Sequence, residues 1–145
     1  MQKEFVPYEL ALRLKQLEFD ESCICYYDGN NLFIVDRNFK IEYKNSIYSS
    51  NELFNGVISA PTFSQAFRWF REKYNIFPEI LTDCTTEPKF CYTYTRFFGN
   101  QNDLSSEEWG WENNIGQYSL LYRTYEEAEL ACLEKLIEIV EQKLK

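Results

Sequence analysis

An α+β fold, an antiparallel sheet packed by three helices, is predicted by two patterns. Strand-like segments come in runs rather than singly between helices, which disfavours parallel βαβ units. Three other windows repeat apolar residues at spacings of three and four, each beside a helix-start signal. The size suits a single domain over residues 1–145: 45% of the chain is hydrophobic, with 12 Phe, 11 Tyr and 3 Trp. That is enough to bury a continuous core, and no Pro, Gly or Ser tract argues for disorder.

The elements follow in order. A first helix is expected from Pro7 to about Glu18, because Pro suits a first helical turn and Leu10, Ala11, Leu14 and Leu17 share a face. Residues 22–36 read as a hairpin, Cys23–Tyr27 and Leu32–Val35 flanking Asp28-Gly29-Asn30-Asn31, with Asp-Gly as the turn signal. Strands at Phe39–Tyr43, Ser46–Tyr48 and Gly56–Ala60 would extend this into a meander. Thr62-Phe63-Ser64-Gln65 fits a capping box, opening a helix to Tyr74 with Phe63, Ala66, Phe67, Phe70 and Tyr74 on one face. Trp69 lies off that stripe and is read as packing against a neighbouring strand, with an exposed anchor as the alternative.

Further strands are expected at Ile76–Cys84, Lys89–Phe98 and Gln117–Arg123, with Pro78 marking the first as an edge. Alternation puts Tyr92, Tyr94, Arg96 and Phe98 on one face of the middle strand, and Cys91, Thr93, Thr95 and Phe97 on the other. A last helix runs from Tyr125 to about Leu144 behind a second capping box, Thr124 to Glu127. The two box-bearing segments align at an offset of 62 residues, Thr62–Ala66 with Thr124–Ala128. Two β-rich/α units side by side, or a coincidence of two good caps, would each produce that match.

Chemistry is excluded more readily than assigned. The chain has no histidine, which removes the commonest general base, the usual partner of a Ser or Cys nucleophile and the commonest metal ligand. Cys23, Cys25, Cys84, Cys91 and Cys132 are an odd set without zinc-knuckle spacing, so free thiols are expected rather than disulfides or a metal site. Neighbouring carboxylates such as Glu107/Glu108 and Glu126/Glu127 suit solvated helix starts. No glycine-rich phosphate loop or nucleophile elbow is present, and neither catalysis nor a cofactor is expected. No apolar run approaches a membrane span and the residues after Met1 carry no export pattern, so a cytoplasmic protein is expected.

Three binding surfaces remain. Residues 99–116 read as a long loop carrying Trp109 and Trp111, with a short helix at Ser105–Trp109; long loops are usually functional or disordered, and two Trp side chains there either fold back or offer a stacking surface to a partner. Tyr92, Tyr94 and Arg96 form a candidate stacking platform, although a net charge of −8 repels nucleic acid. Arg68, Arg71 and Lys73 form the one compact basic cluster, able to neutralise a small phosphorylated ligand or to stand as a solvated helix face. The reading is a non-catalytic binding protein acting on a host protein or ligand through an aromatic-rich surface. The alternatives are a sponge for a phosphorylated or cyclic nucleotide, and an acidic nucleic-acid mimic. The aromatic share also suits a homo-oligomer.

Phe5-Val6-Pro7-Tyr8-Glu9-Leu10-Ala11, Ala60-Pro61-Thr62-Phe63-Ser64-Gln65-Ala66-Phe67-Arg68-Trp69-Phe70-Arg71-Glu72-Lys73-Tyr74 and Tyr125-Glu126-Glu127-Ala128-Glu129-Leu130-Ala131-Cys132-Leu133 resemble a recurrent family of small proteins of gut anaerobes and the phages and mobile elements they carry. The resemblance covers the three helices, about a third of the chain, and brings no activity or catalytic residue with it. It implies a non-enzymatic binder of host factors, counter-defence proteins that sequester a signalling nucleotide included.

Overall fold

A computed structural model describes residues 4–29, 31–34, 40–43, 46–49, 57–83, 89–98, 110–114 and 121–144. Among these residues, three helices and antiparallel strands give the α+β class. The chain divides into two compact units, residues 1–65 and 66–145, the boundary falling just after the first turn of the second helix.

In the first unit, α1 spans Tyr8–Gln16 and buries Leu10, Ala11 and Leu14. Pro7 stands at its N-cap rather than inside the first turn, in extended geometry with ψ 152°, and its carbonyl accepts from Ala11 N–H at 2.9 Å. A Schellman motif closes the helix: Phe19 N–H donates to the Leu14 carbonyl and Glu18 N–H to that of Lys15, both at 3.0 Å. Between them Glu18 has φ 63°, a left-handed position where a Cβ is costly and glycine is usual. Glu18→Gly is therefore expected to raise stability by about 1 kcal/mol. An unchanged or lower urea midpoint would show that the glutamate side chain offsets its own backbone strain.

Strands β1 (Cys25–Asp28) and β2 (Asn31–Ile34) form the expected hairpin, tighter than the sequence suggests, with Asp28 paired to Asn31. Gly29 at φ 56° supplies the positive dihedral that a two-residue hairpin turn requires. β3 (Lys40–Tyr43) and β4 (Ser46–Ser49) pair with each other, while β5 (Ile58–Ser59) joins the free edge of β1. The expected meander is thus corrected: the order is β2-β1-β5, with β3–β4 a separate hairpin. Non-local burial decides this, since pairing with β1 sets Ile58 beside Tyr27, and both are buried. The buried Tyr27 hydroxyl donates to the Val6 carbonyl at 2.9 Å, and Val6 N–H donates to the Pro61 carbonyl at 2.9 Å.

The second helix, α2, spans Phe63–Tyr74. Its capping box is complete: Gln65 N–H donates to Thr62 Oγ1 at 3.2 Å, and Gln65 Oε1 accepts from Thr62 N–H at 3.0 Å. Phe63, Ala66, Phe67 and Phe70 are buried as the stripe requires, and Trp69 is buried too, 3% exposed. Its ring meets Phe70 and Tyr74 edge-on at 5.1 and 5.2 Å, so it packs and does not stand out as an anchor.

The second unit continues from α2 into β6 (Ile76–Asp83), β7 (Lys89–Phe98) and β8 (Gly110–Asn114), a sheet in sequence order. Asn75 links α2 to β6 at φ 55°. Its N–H donates to the Arg71 carbonyl at 3.1 Å and its carbonyl accepts from Phe97 N–H at 3.0 Å, which ends the helix and starts the sheet in one residue. β8 corrects the expected long loop, because residues 110–114 pair with β7 from Gly110↔Phe98 to Asn114↔Tyr94. The rest of that segment, with Trp109 and the expected helix at 105–109, lies outside the described residues. Of the expected strand Gln117–Arg123, residues 117–120 also lie outside them; Tyr122 forms one isolated bridge to Phe90.

The last helix, α3 (Tyr125–Lys143), packs on β7 and β6. It buries Ala128, Cys132, Leu133, Leu136, Ile137 and Val140. Thr124 Oγ1 accepts from Glu127 N–H at 3.1 Å, but Glu127 Oε2 reaches one residue further back than a standard box, to Arg123 N–H at 3.0 Å. Its carboxylate still satisfies a donor at the positive end of the helix.

Candidate binding surface

Strand β7 is central in its sheet, and its two faces have separate fates. Register pairs Ile76 with Arg96, Pro78 with Tyr94 and Ile80 with Tyr92, and directly opposed residues share a face. α3 covers this face. Tyr92 stacks on Tyr122 at 6.2 Å, Phe90 meets Tyr125 edge-on at 6.0 Å, and Phe90 and Tyr122 exchange backbone bonds of 3.0 and 2.7 Å. Tyr92 and Tyr94 are consequently 7% and 6% exposed. Burial, then Tyr122 nearby, pushes the Tyr92 hydroxyl pKa up, so it stays a neutral donor. Arg96 is half-buried on the same face, and its Nε is buried without a hydrogen-bond partner. The stacking platform expected from Tyr92, Tyr94 and Arg96 is thus an internal layer: α3 occupies the space a stacked base would need.

The opposite face carries Phe77, Glu79 and Leu81 from β6 and Cys91, Thr93, Thr95 and Phe97 from β7; Cys91 on it is 2% exposed, so the face is covered there and opens toward Phe77 and Phe97. Phe77 is 36% exposed and Phe97 half-buried, and their rings meet edge-on at 5.4 Å and 89°. Trp111 stands directly opposite Phe97 in the β7–β8 register. One residue nominated by the sequence therefore shares a sheet position with two aromatics that sequence reasoning passed over. The signal was present in Ile76-Phe77, where alternation must turn Phe77 away from the core if Ile76, fully buried, points into it.

On α2 the basic cluster separates. Arg68 is exposed and Arg71 half-buried, three residues apart and so neighbours on one side. Lys73 belongs elsewhere: its Nζ lies 4.9 Å from the Trp69 ring centroid and 5.8 Å from that of Tyr74, a cation–π placement. Two arginines, not three cations, remain adjacent.

The described thiols suit packing better than reaction. Cys23, Cys25, Cys91 and Cys132 form no disulfide and are buried. Burial, reinforced by Glu129, pushes the Cys132 pKa up to about 12, and burial with Glu21 and Cys25 does the same at Cys23. Neither supplies a thiolate at neutral pH. Among the described residues, no group of three or more Cys, Asp or Glu could hold a metal ion, and no helix is long and apolar enough to cross a membrane. Compared with protein-family models, curated proteins and solved structures, the chain matches none.

Proposed function

We propose that the protein is a non-catalytic binding protein, of the mobile-element kind its helix motifs resemble, and that it holds a partner protein against the Phe77–Phe97 end of the sheet face turned away from α3. The observation that carries this reading is the edge-to-face pair of Phe77 and Phe97, left partly open to solvent with Trp111 in register beside it. Aromatic side chains bury large area at small entropic cost and dominate interface energetics. Buried, protonated thiols at Cys23 and Cys132 and the absence of histidine point away from nucleophilic or general-base chemistry.

Native mass spectrometry of the protein purified from a cell that naturally carries it tests this. The wild-type chain is expected to retain a protein partner in defined stoichiometry. Phe77→Ser combined with Phe97→Ser should weaken that complex at least 30-fold, as loss of a hot spot worth about 2 kcal/mol does. A bare chain from the natural cell, or a folded double variant that keeps the partner, would overturn the proposal. Retention of a phosphorylated small molecule instead would favour the ligand sponge and direct attention to Arg68 and Arg71.

A further inference from the structure

The outward edge of β6 can be worked out atom by atom. Phe97 N–H donates to the Asn75 carbonyl, a bond that flanks the opposed pair Ile76 and Arg96. In an antiparallel ladder a pair flanked in this way is the non-hydrogen-bonded kind, and the two kinds alternate. Phe77, Glu79 and Leu81 therefore exchange backbone bonds with Thr95, Thr93 and Cys91. Pro78, Ile80 and Thr82 turn their backbone groups away from β7. The pairing runs without a break from Ile76↔Arg96 to Asp83↔Lys89, so no bulge resets the alternation. Among the described residues β6 has β7 as its single strand neighbour, and Thr82 is exposed with Ile80 half-buried.

This is the arrangement that invites another strand. Ile76-Phe-Pro-Glu-Ile-Leu-Thr-Asp83 is eight residues long and largely apolar, and an edge of that kind templates further pairing unless something blunts it. Pro78 occupies an outward position, where the edge would otherwise offer a donor, and it has no N–H. The remaining outward donors beyond it, Ile80 and Thr82, span one repeat of the ladder.

We propose that Pro78 is an edge guard, and that what it keeps off is the β6 strand of a second copy of this chain. A second copy is the occupant because two β6 edges brought together about a two-fold axis present each other with the same donor and acceptor pattern. The inference is independent of the aromatic face, since it concerns backbone groups at the rim of the sheet.

The test joins amide hydrogen exchange with sedimentation velocity over a hundredfold concentration range. In the wild-type protein the amides of Ile80 and Thr82 are expected to exchange at least tenfold faster than those of Glu79 and Leu81, at every concentration. Pro78→Thr restores the missing donor without touching a bond to β7. It should associate as concentration rises, with Ile80 and Thr82 gaining at least tenfold protection in the associated form. Three results would overturn the proposal: wild-type Ile80 and Thr82 as protected as their neighbours; a Pro78→Thr chain that keeps wild-type mass and exchange; or association without new protection at these two amides. The wild-type comparison stands by itself if the variant fails to fold.

Discussion

Phe70→Ala is expected to destabilise the protein by roughly 3–5 kcal/mol. Phe70 is 0% exposed, with Trp69 edge-on at 5.1 Å and Tyr74 tilted at 5.9 Å. Truncation removes one ring of a cluster of three, in which Trp69 and Tyr74 also touch at 5.2 Å, and leaves a cavity bordered by two rings that cannot collapse inward as flexible aliphatic chains can. Since a domain's whole stability is typically about 5–15 kcal/mol, much of it would go. Urea unfolding followed by helical circular dichroism measures this as a lowered midpoint for the transition that melts α2. Phe70→Leu keeps most of the volume and should lose less than half as much. A loss below about 1 kcal/mol for the alanine variant would show that neighbouring side chains refill the site.

The second large effect is loss of stability in alkali. The Cys132 and Cys23 thiols have their pKa raised from 9.0 to about 12 in the folded chain. Unfolding returns them to water, where they ionise near 9. Between about pH 9 and pH 12 the folded state therefore holds protons that the unfolded state has released, so stability falls as pH rises. Below about pH 8 the contribution is fully present and flat. Each thiol that stays protonated in the folded state adds a slope of at most about 1.4 kcal/mol per pH unit. The hydroxyls of Tyr26, Tyr92 and Tyr122 shift in the same direction through burial, which steepens the fall above pH 10. Urea midpoints at pH 7, 8 and 10.5 should be nearly equal for the first two and lower for the third. Cys132→Ala should take part of that slope away. A midpoint constant to pH 10.5 would mean that the thiols ionise inside the folded protein.

The helices were legible because their signals are local. Spacings of three and four at Leu10, Ala11 and Leu14, at Ala66, Phe67 and Phe70, and at Leu133, Leu136, Ile137 and Val140 are among the residues α1, α2 and α3 bury, and Thr62 and Thr124 do cap. Strand β7 was legible at both ends for the same reason, and Pro78 announced an edge. What failed was non-local. Gly110-Trp-Glu-Asn-Asn114 has three residues depleted in strands, Gly110, Asn113 and Asn114, and is a strand because β7 accepts it, a tertiary override of propensity. The partner of β5 could not be read either, since Ile58 finds β1 across 30 residues of intervening chain. For the binding surface, both faces of β7 carry aromatic residues, and alternation alone does not say which one a helix will cover. α3 took the face with Tyr92 and Tyr94, and what remains open carries Phe97 with Phe77.

The single-residue junction at Asn75 has a mechanical consequence. Its N–H closes α2 and its carbonyl holds Phe97 in β7, so helix and sheet share one backbone unit with no slack between them. A helix end ordinarily frays alone, at a cost set by its last few bonds. Here the peptide that closes α2 and the peptide that anchors β7 near its far end are adjacent and meet at the Asn75 Cα, so unwinding the last turn of α2 is expected to disturb that rung of the sheet. The end of α2 and the rung it shares with β7 are therefore expected to open together, which matched amide exchange at Asn75 and Phe97 would show.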